Sequence, residues 1–178
     1  MYFFDSEFTN FKSKELISLG IISEDGKREF YKENLNYSKS ECSDFVNEIV
    51  VPLLDSNAYG LSYNNIAKEI KDWINTLPER NVYFVADYNG DLDILQNLLA
   101  INVGKLEKNV SMLLLDKAFK QVAMERGMFN HEKESSSLEC IVDEIEKIFK
   151  NNSKNQHHAL YDAKVLRLGW IKGLNYLA

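Results

Sequence analysis

Residues 2–8, Tyr-Phe-Phe-Asp-Ser-Glu-Phe, interleave aromatic rings with two acids near the start of the chain. Aromatic residues favour strands, so residues 2–5 are predicted to form the first strand. Because side chains alternate across a strand, Asp5 and Glu7 share one face. At about 5 Å and an effective dielectric near 20, two such charges repel by on the order of 3 kcal/mol. The pattern predicts either a site for Mg²⁺ or Mn²⁺, which prefer oxygen ligands, or a solvated edge strand with two surface acids.

The rest of the chain alternates apolar runs with amphipathic stretches, an order typical of a layered α/β protein. Further strands are predicted at residues 16–23, 28–31, 82–86 and 110–115. Helices are predicted at residues 92–102, 117–126, 138–149 and 159–170. A strand, a hairpin and then alternating helices and strands predict an α/β fold with a mixed sheet flanked by helices.

Local signals predict where further helices begin and end. Ser38 and Glu41 are spaced as a capping box, before a helix that runs toward Leu54 and that Pro52 kinks or ends. A second helix follows Ser62 and repeats isoleucine at every fourth residue.

Polar stretches predict turns and loops. Residues 87–91 are predicted to form a turn between a strand and a helix. The stretch that contains His131 and residues 135–137 is predicted to be a mobile loop. The polar run 151–156 separates the last two helices.

Composition places the chain among ordinary globular proteins. It has 178 residues, of which 45% are hydrophobic and 27% charged, so one domain spanning residues 1–178 is predicted. No apolar run approaches the roughly 18 residues that cross a bilayer, and the start lacks the regions of a signal peptide. Cys42 and Cys140 have no metal-ligand spacing, which predicts reduced thiols in a cytoplasmic protein with no membrane partner.

The net charge of −6 is opposite in sign to that of most proteins that bind nucleic acid. Bound cations would change this balance. If acidic side chains hold two divalent ions, the total becomes about −2, so the acidic excess partly reflects the site itself.

The last predicted helix opens with the run His-His-Ala-Leu-Tyr-Asp-Ala at residues 157–163. Residues four apart share a helical face, so spacing alone pairs His158 with Asp162. His157 would diverge from Asp162 by roughly 140° if both were helical, and could face it only from the loop before the helix. A His157–Asp162 site, a structural His158–Asp162 pair and a His157 that only bonds the backbone at the helix start are all open.

Together these motifs resemble the DEDDh branch of the DnaQ-like 3′-5′ exonucleases, which have an RNase H-like fold. Residues 5–7 resemble the first motif, and the strand and hairpin after it follow the family order. The third motif selects His157 over His158, because it is matched by His157, Ala159, Leu160, Asp162 and Ala163. Small single-domain enzymes that trim RNA, such as those of the RNase AS, RNase T and oligoribonuclease types, are similar in size.

The family's middle aspartate follows a strand and starts a helix, with apolar residues three and four places later. Asp91 fits, because Ile94 and Leu95 occupy those positions. Asp87 directly follows the strand and is the competitor; it stands where relatives often have asparagine. Asp93 is interpreted as a first-turn helix acid.

The resemblance implies a role for each of these residues. Asp5 would bridge two Mg²⁺ or Mn²⁺ ions, Glu7 and Asp162 would complete the shell of one, and Asp91 would hold the other. His157 would be the general base, since an imidazole titrates near neutral pH. The implied reaction is metal-dependent hydrolysis of phosphodiesters from the 3′ end, releasing nucleoside 5′-monophosphates.

The resemblance places the 3′-terminal nucleotide against Phe8 and Thr9. Phe8 either stacks on the terminal base, worth roughly 1 to 3 kcal/mol, or belongs to the core. Lys164, Arg167 and Lys172 either meet phosphates or form a solvated face. The implied partner is the 3′ end of single-stranded RNA or DNA, with RNA favoured, and the resemblance also allows a homodimer.

Two hypotheses from other classes are kept. One is a catalytically silent nuclease-like module that binds nucleic acid or a protein; loss of a motif residue would be its mark, and all are present in this chain. The other is a structural Ca²⁺ site in an unrelated α/β protein, which does not explain why His157 lies so near Asp162.

Overall fold

The computed structural model describes residues 1–127 and 131–177, without the side chains of 131–134, and within this part six strands form one mixed sheet. They are β1 (Tyr2–Phe8), β2 (Leu16–Ser23), β3 (Glu29–Asn34), β4 (Gly60–Leu61), β5 (Asn81–Ala86) and β6 (Asn109–Leu114). The order across the sheet is β4-β3-β2-β1-β5-β6. β2 is antiparallel to β1 and β3, whereas β5 is parallel to β1 and β6. The predicted α/β class and mixed sheet are confirmed, and the strand order is consistent with an RNase H-like fold.

Helices cover both faces of this sheet. They are α1 (Ser56–Tyr59), α2 (Tyr63–Asn75), α3 (Asn89–Ala100), α4 (Leu115–Glu125), α5 (His131–Asn151) and α6 (Ala159–Leu177). α2 and α3 pack on the face that carries Tyr2 and Phe4. α4, α5 and α6 pack on the face that carries Phe3. The predicted alternation of side chains along β1 is therefore confirmed. No helix in the described part of the chain is long and apolar enough to cross a bilayer.

The helix predicted after Ser62 forms as expected. The Ser62 hydroxyl accepts a hydrogen bond from the Asn65 N–H at 3.4 Å, which caps the start of α2. Ile66, Ile70 and Ile74 are fully buried against the sheet. Burial of one apolar stripe thus decides the length and orientation of α2.

The segment predicted as one helix from Ser38 is instead broken into short turns. These are 3₁₀ turns at Lys39–Glu41 and Val51–Leu53 and a π-helical turn at Val46–Val50. The Ser38 side chain caps nothing, and its N–H donates to Glu15 Oε2 at 2.9 Å. The Asn10 side chain donates to the Glu41 carbonyl at 2.7 Å. The capping-box prediction is wrong because these bonds tie the segment to the loop after β1.

Two predicted loops are shorter than expected or absent in the described part of the chain. The turn predicted at residues 87–91 is confined to residues 87–88. α3 begins at Asn89, so Asp91 lies inside its first turn rather than before the helix. α5 begins at His131, so residues 135–137 are helical; the neighbouring residues 128–130 lie outside the described part. Serine disfavours helices only by fractions of a kcal/mol, roughly, and the packing of α5 along α6 outweighs this preference.

Candidate metal centre

Three segments of the chain meet at one edge of the sheet. β1 and β5 are parallel and end at the same edge, and the chain passes from β5 into the first turn of α3. α6 starts against β1 and β2 on the face that Asp5 and Glu7 share, so its first turn reaches the same place. A pocket of about 690 Å³ lies there. Its polar lining includes Asp5, Glu7, Asp87, Asp91, His157 and Asp162.

The ligating atoms of these side chains form two groups. In one group the oxygens of Glu7 and Asp162 and a ring nitrogen of His157 lie within 4.8 Å of one another. In the other, oxygens of Asp5, Asp87 and Asp91 lie within the same distance of one another. Carboxylate oxygens with a single imidazole form a donor set that suits Mg²⁺ or Mn²⁺.

Burial and mutual repulsion raise the pKa values of the acids in the metal-free protein. Burial, followed by the charges of Asp91 and Glu7, raises the pKa of Asp5 well above its usual range. Burial and the charge of Asp162 raise the pKa of Glu7 to about 8. Burial is also the main cause that raises the pKa of Asp91 and that of Asp162 to about 7. A cation in this pocket would take the place of these protons.

One carboxylate oxygen in the pocket has no protein partner. Asp162 Oδ2 accepts the N–H of His157 at 2.9 Å, whereas Asp162 Oδ1 is buried without a hydrogen bond. Buried acceptors are normally satisfied, so this atom needs a donor or a cation that the described residues do not supply. The donor set therefore fits a metal ion.

The structure brings both candidates for the middle aspartate beside Asp5. Asp91 is 2% exposed and accepts the Ser6 hydroxyl at 2.5 Å, while Asp87 is exposed. A Cβ at Gly90 would lie 2.2 Å from the Tyr88 ring, so glycine allows that ring to cover the start of α3. The sequence left open whether Asp87 or Asp91 is the middle aspartate, and the structure places both of them beside Asp5.

Of the two neighbouring histidines, His157 lines the pocket. It precedes α6 in a left-handed conformation, with φ of 70°. Its ring is perpendicular to that of Phe45, with 4.9 Å between centroids, and burial lowers its pKa. His158 reaches Asp162 only through its carbonyl, which accepts the Asp162 N–H at 3.0 Å, and its ring stacks on Tyr31 at 4.5 Å. The four-residue separation of His158 and Asp162 therefore corresponds to a helical backbone hydrogen bond, not to a side-chain pair.

Aromatic rings form one wall of the pocket. The ring centroids of Phe8, Phe11 and Tyr88 lie 5.5 to 6.3 Å apart. Phe11 is 77% exposed and Tyr88 is 40% exposed. Phe8 both lines the pocket and packs against the core, so its two interpretations are compatible. No sequence pattern predicted Phe11, Tyr88 or Phe45 at this site, because loop geometry rather than periodicity brings them here.

Thr9 and the basic residues of α6 lie outside this lining. The Thr9 side chain is fully buried and contacts Ser13 Oγ at 3.0 Å, so it holds its own loop together. Lys164 pairs with Glu29 at 2.9 Å, and Arg167 donates to the Glu24 carbonyl at 2.7 Å. These contacts tie α6 to the β2–β3 hairpin, and Lys172 is solvent-exposed.

Comparison of the sequence with protein-family models and with curated proteins finds no match. The functional assignment therefore depends on the chemistry of the pocket.

Proposed function

We propose that the protein is a metal-dependent 3′-5′ exonuclease that removes nucleoside 5′-monophosphates from single-stranded RNA or DNA, with RNA the favoured substrate. The observation that supports this most is the convergence of distant side chains in one pocket. Asp5 and Glu7, Asp91, and Asp162 with His157 come from segments far apart in the sequence, and all of them line it. Five acids and a histidine in one pocket suit metal-dependent hydrolysis of a phosphodiester.

Asp5, Glu7, Asp91 and Asp162 are the residues that would hold two Mg²⁺ or Mn²⁺ ions. When bound, such a pair of ions stabilises the attacking and the leaving oxygen of an in-line displacement at phosphorus. The unpartnered Oδ1 of Asp162 and the raised pKa values of Glu7 and Asp91 support this use of the acids.

His157 is the proposed general base. Burial lowers its pKa, so the imidazole is neutral at pH 7 and a ring nitrogen can accept a proton from water. That nitrogen lies within 4.8 Å of the Glu7 and Asp162 oxygens, next to where the attacking water would sit. The bond from the His157 N–H to Asp162 keeps the base beside the acids.

The aromatic wall supports a single-stranded end as the substrate. Exposed rings stack on unpaired bases whatever the sequence. Phe11 is exposed, yet its loop is fixed, because Asn10 Oδ1 accepts the N–H groups of Lys12 at 2.7 Å and Ser13 at 2.8 Å. An ordered, hydrogen-bonded loop thus holds the Phe11 ring in solvent.

The test is digestion of a 5′-labelled single-stranded RNA, with a matched DNA strand beside it. We expect a ladder that shortens from the 3′ end with Mg²⁺ or Mn²⁺, no product with chelator, and 5′-monophosphates as the product. Asp5→Asn should abolish the ladder, whereas Asp93→Asn, an exposed acid in the same turn as Asp91, should not. Cleavage without metal would contradict the proposal, and binding without product under every condition would favour the silent module.

A further inference from the structure

His158 is adjacent to the proposed base, yet it does not line the pocket. Its imidazole stacks on Tyr31, with 4.5 Å between ring centroids and 20° between planes. Its Nδ1 atom is buried and has no hydrogen-bond partner. The ring therefore contributes through its face, by packing, rather than through that nitrogen.

Tyr31 is itself firmly held on the sheet. Its hydroxyl donates to Glu33 Oε1 at 2.9 Å, and Glu33 is only 1% exposed. The same carboxylate accepts the Asp55 N–H and the Ser56 hydroxyl, each at 2.8 Å. Because the acceptor is buried and used on several sides, Tyr31 presents a fixed surface to His158.

The turn at His157 needs such support. A residue with a Cβ is uncommon at a φ of 70°, and a strained conformation persists only where the surroundings determine it. Asp162 Oδ2 holds the N–H of His157 from one side. On the other side, the His158 N–H donates to the Asn155 carbonyl at 3.3 Å. The stack on Tyr31 is the contact that fixes the side chain directly after the turn.

We propose that His158 is a positioning residue: its stack on Tyr31 fixes the left-handed turn that places the His157 ring beside Glu7 and Asp162. The functional half of this inference rests on the proposed function, in which His157 is the base. The structural half concerns only the conformation of the turn. The two halves are measured separately.

The test uses His158→Phe, which keeps a stacking ring, and His158→Ala and His158→Asn, which do not. NMR of histidine-labelled protein is simple because the chain has 3 histidines, and His131→Gln completes the assignment. We expect one sharp His157 signal in the native protein and in His158→Phe. In His158→Ala and His158→Asn, we expect that signal to broaden or split as the turn samples a second conformation.

Cleavage assays give the second readout. Displacement of the base should lower kcat roughly 100-fold in His158→Ala and His158→Asn while KM changes little, and His158→Phe should retain most of the activity. An unchanged His157 signal in His158→Ala would overturn the proposal, as would a His158→Phe variant that behaves like His158→Ala. If the native protein cleaves nothing, the proposed function fails, but the NMR result still decides the positioning role. Should His158→Ala fail to fold, Tyr31→Leu removes the partner ring and is judged by the same signal.

Discussion

Among single residues, the Glu7 carboxyl group shows how burial beside other acids changes a pKa. In the unfolded chain it titrates near 4.5, and in the folded protein its pKa is about 8. The folded state therefore binds a proton that the unfolded chain has released between these two values. Folding is favoured at low pH and loses this contribution as the pH rises toward 8.

Replacing Glu7 with Gln should therefore stabilise the metal-free protein at pH 8. Each pKa unit corresponds to about 1.4 kcal/mol, so we expect the free energy of unfolding to rise by at least about that amount at pH 8 and to change little at pH 4.5. Urea unfolding in the presence of chelator measures this, with the exposed Glu146→Gln as the control. An equal effect at both pH values would contradict the argument.

Phe11 should contribute to binding rather than to chemistry. Loss of a stacking ring costs roughly 1 to 3 kcal/mol, so Phe11→Ala should raise KM about tenfold or more with kcat nearly unchanged. Phe11→Trp should restore binding. Leu35→Ala removes a similarly exposed apolar side chain outside the pocket and serves as the control. A lower kcat at unchanged KM would assign Phe11 a different role.

Single-residue patterns predicted part of the site. The alternation along β1 was enough to place Asp5 and Glu7 on one face, because it depends only on strand geometry. Residue spacing alone could not decide between His157 and His158, since that choice depends on one left-handed residue before the helix. Nor could spacing show that the Asp87 carboxylate lies beside that of Asp5, because their distance depends on how the chain passes from β5 into α3.

At the scale of elements, the approach of α6 to the sheet decides whether the acids meet. A Cβ at Gly20 of β2 would lie 2.2 Å from the Leu160 backbone nitrogen and 2.4 Å from the Ala159 carbonyl carbon. Glycine at this position lets the first turn of α6 lie directly on β2. Asp162, in that turn, thereby comes within reach of Glu7.

Gly20→Ala should therefore displace the first turn of α6. Overpacking against backbone costs typically about 1 to 3 kcal/mol, and the shift of Asp162 should also weaken Mn²⁺ binding. Calorimetry with Mn²⁺ and urea unfolding report the two effects. Gly173→Ala is the matched control, because its Cβ would meet the side chain of Ile141, which does not line the pocket. It should lower stability without changing metal affinity; unchanged Mn²⁺ affinity in Gly20→Ala would refute the argument.

The elements themselves were predictable where one apolar face determines them. α2 has a regular stripe of isoleucines, and its prediction is confirmed. The segment after Ser38 carries a valid local helix signal, but bonds from Asn10 and to Glu15 hold it in short turns. α5 differs from its prediction in the opposite sense: its serines predicted a loop, but packing against α6 makes this segment helical. Sequence periodicity contains no information about such distant partners.

Across the molecule, the pocket brings together five acidic side chains of a chain whose formal net charge is −6. Opposite faces of the sheet contribute to it, since α3 supplies Asp91 and α6 supplies Asp162. A bound cation would neutralise charge from both layers at once. Metal binding should thus stabilise the fold as a unit.

We expect metal binding to release protons near neutral pH. Asp91 and Asp162 have pKa values of about 7 and Glu7 one of about 8, so at pH 7 a cation must displace protons that at pH 9 have already dissociated. Titration calorimetry of Mg²⁺ in buffers of different ionisation enthalpy measures the number released. Saturation at 100 times Kd should also add about 2.7 kcal/mol to the free energy of unfolding. Equal heats in all buffers at pH 7 would show that the acids are already ionised.

The distance along the chain between β1 and α6 has a consequence for biosynthesis. Asp5 and Glu7 emerge from the ribosome early, but Asp162 and His157 follow only after most of the sheet has been made. A nascent chain that ends before residue 157 lacks the proposed base and one of the four proposed ligands, Asp162. If the protein cuts RNA, it cannot degrade the messenger from which it is being translated until that last helix has docked.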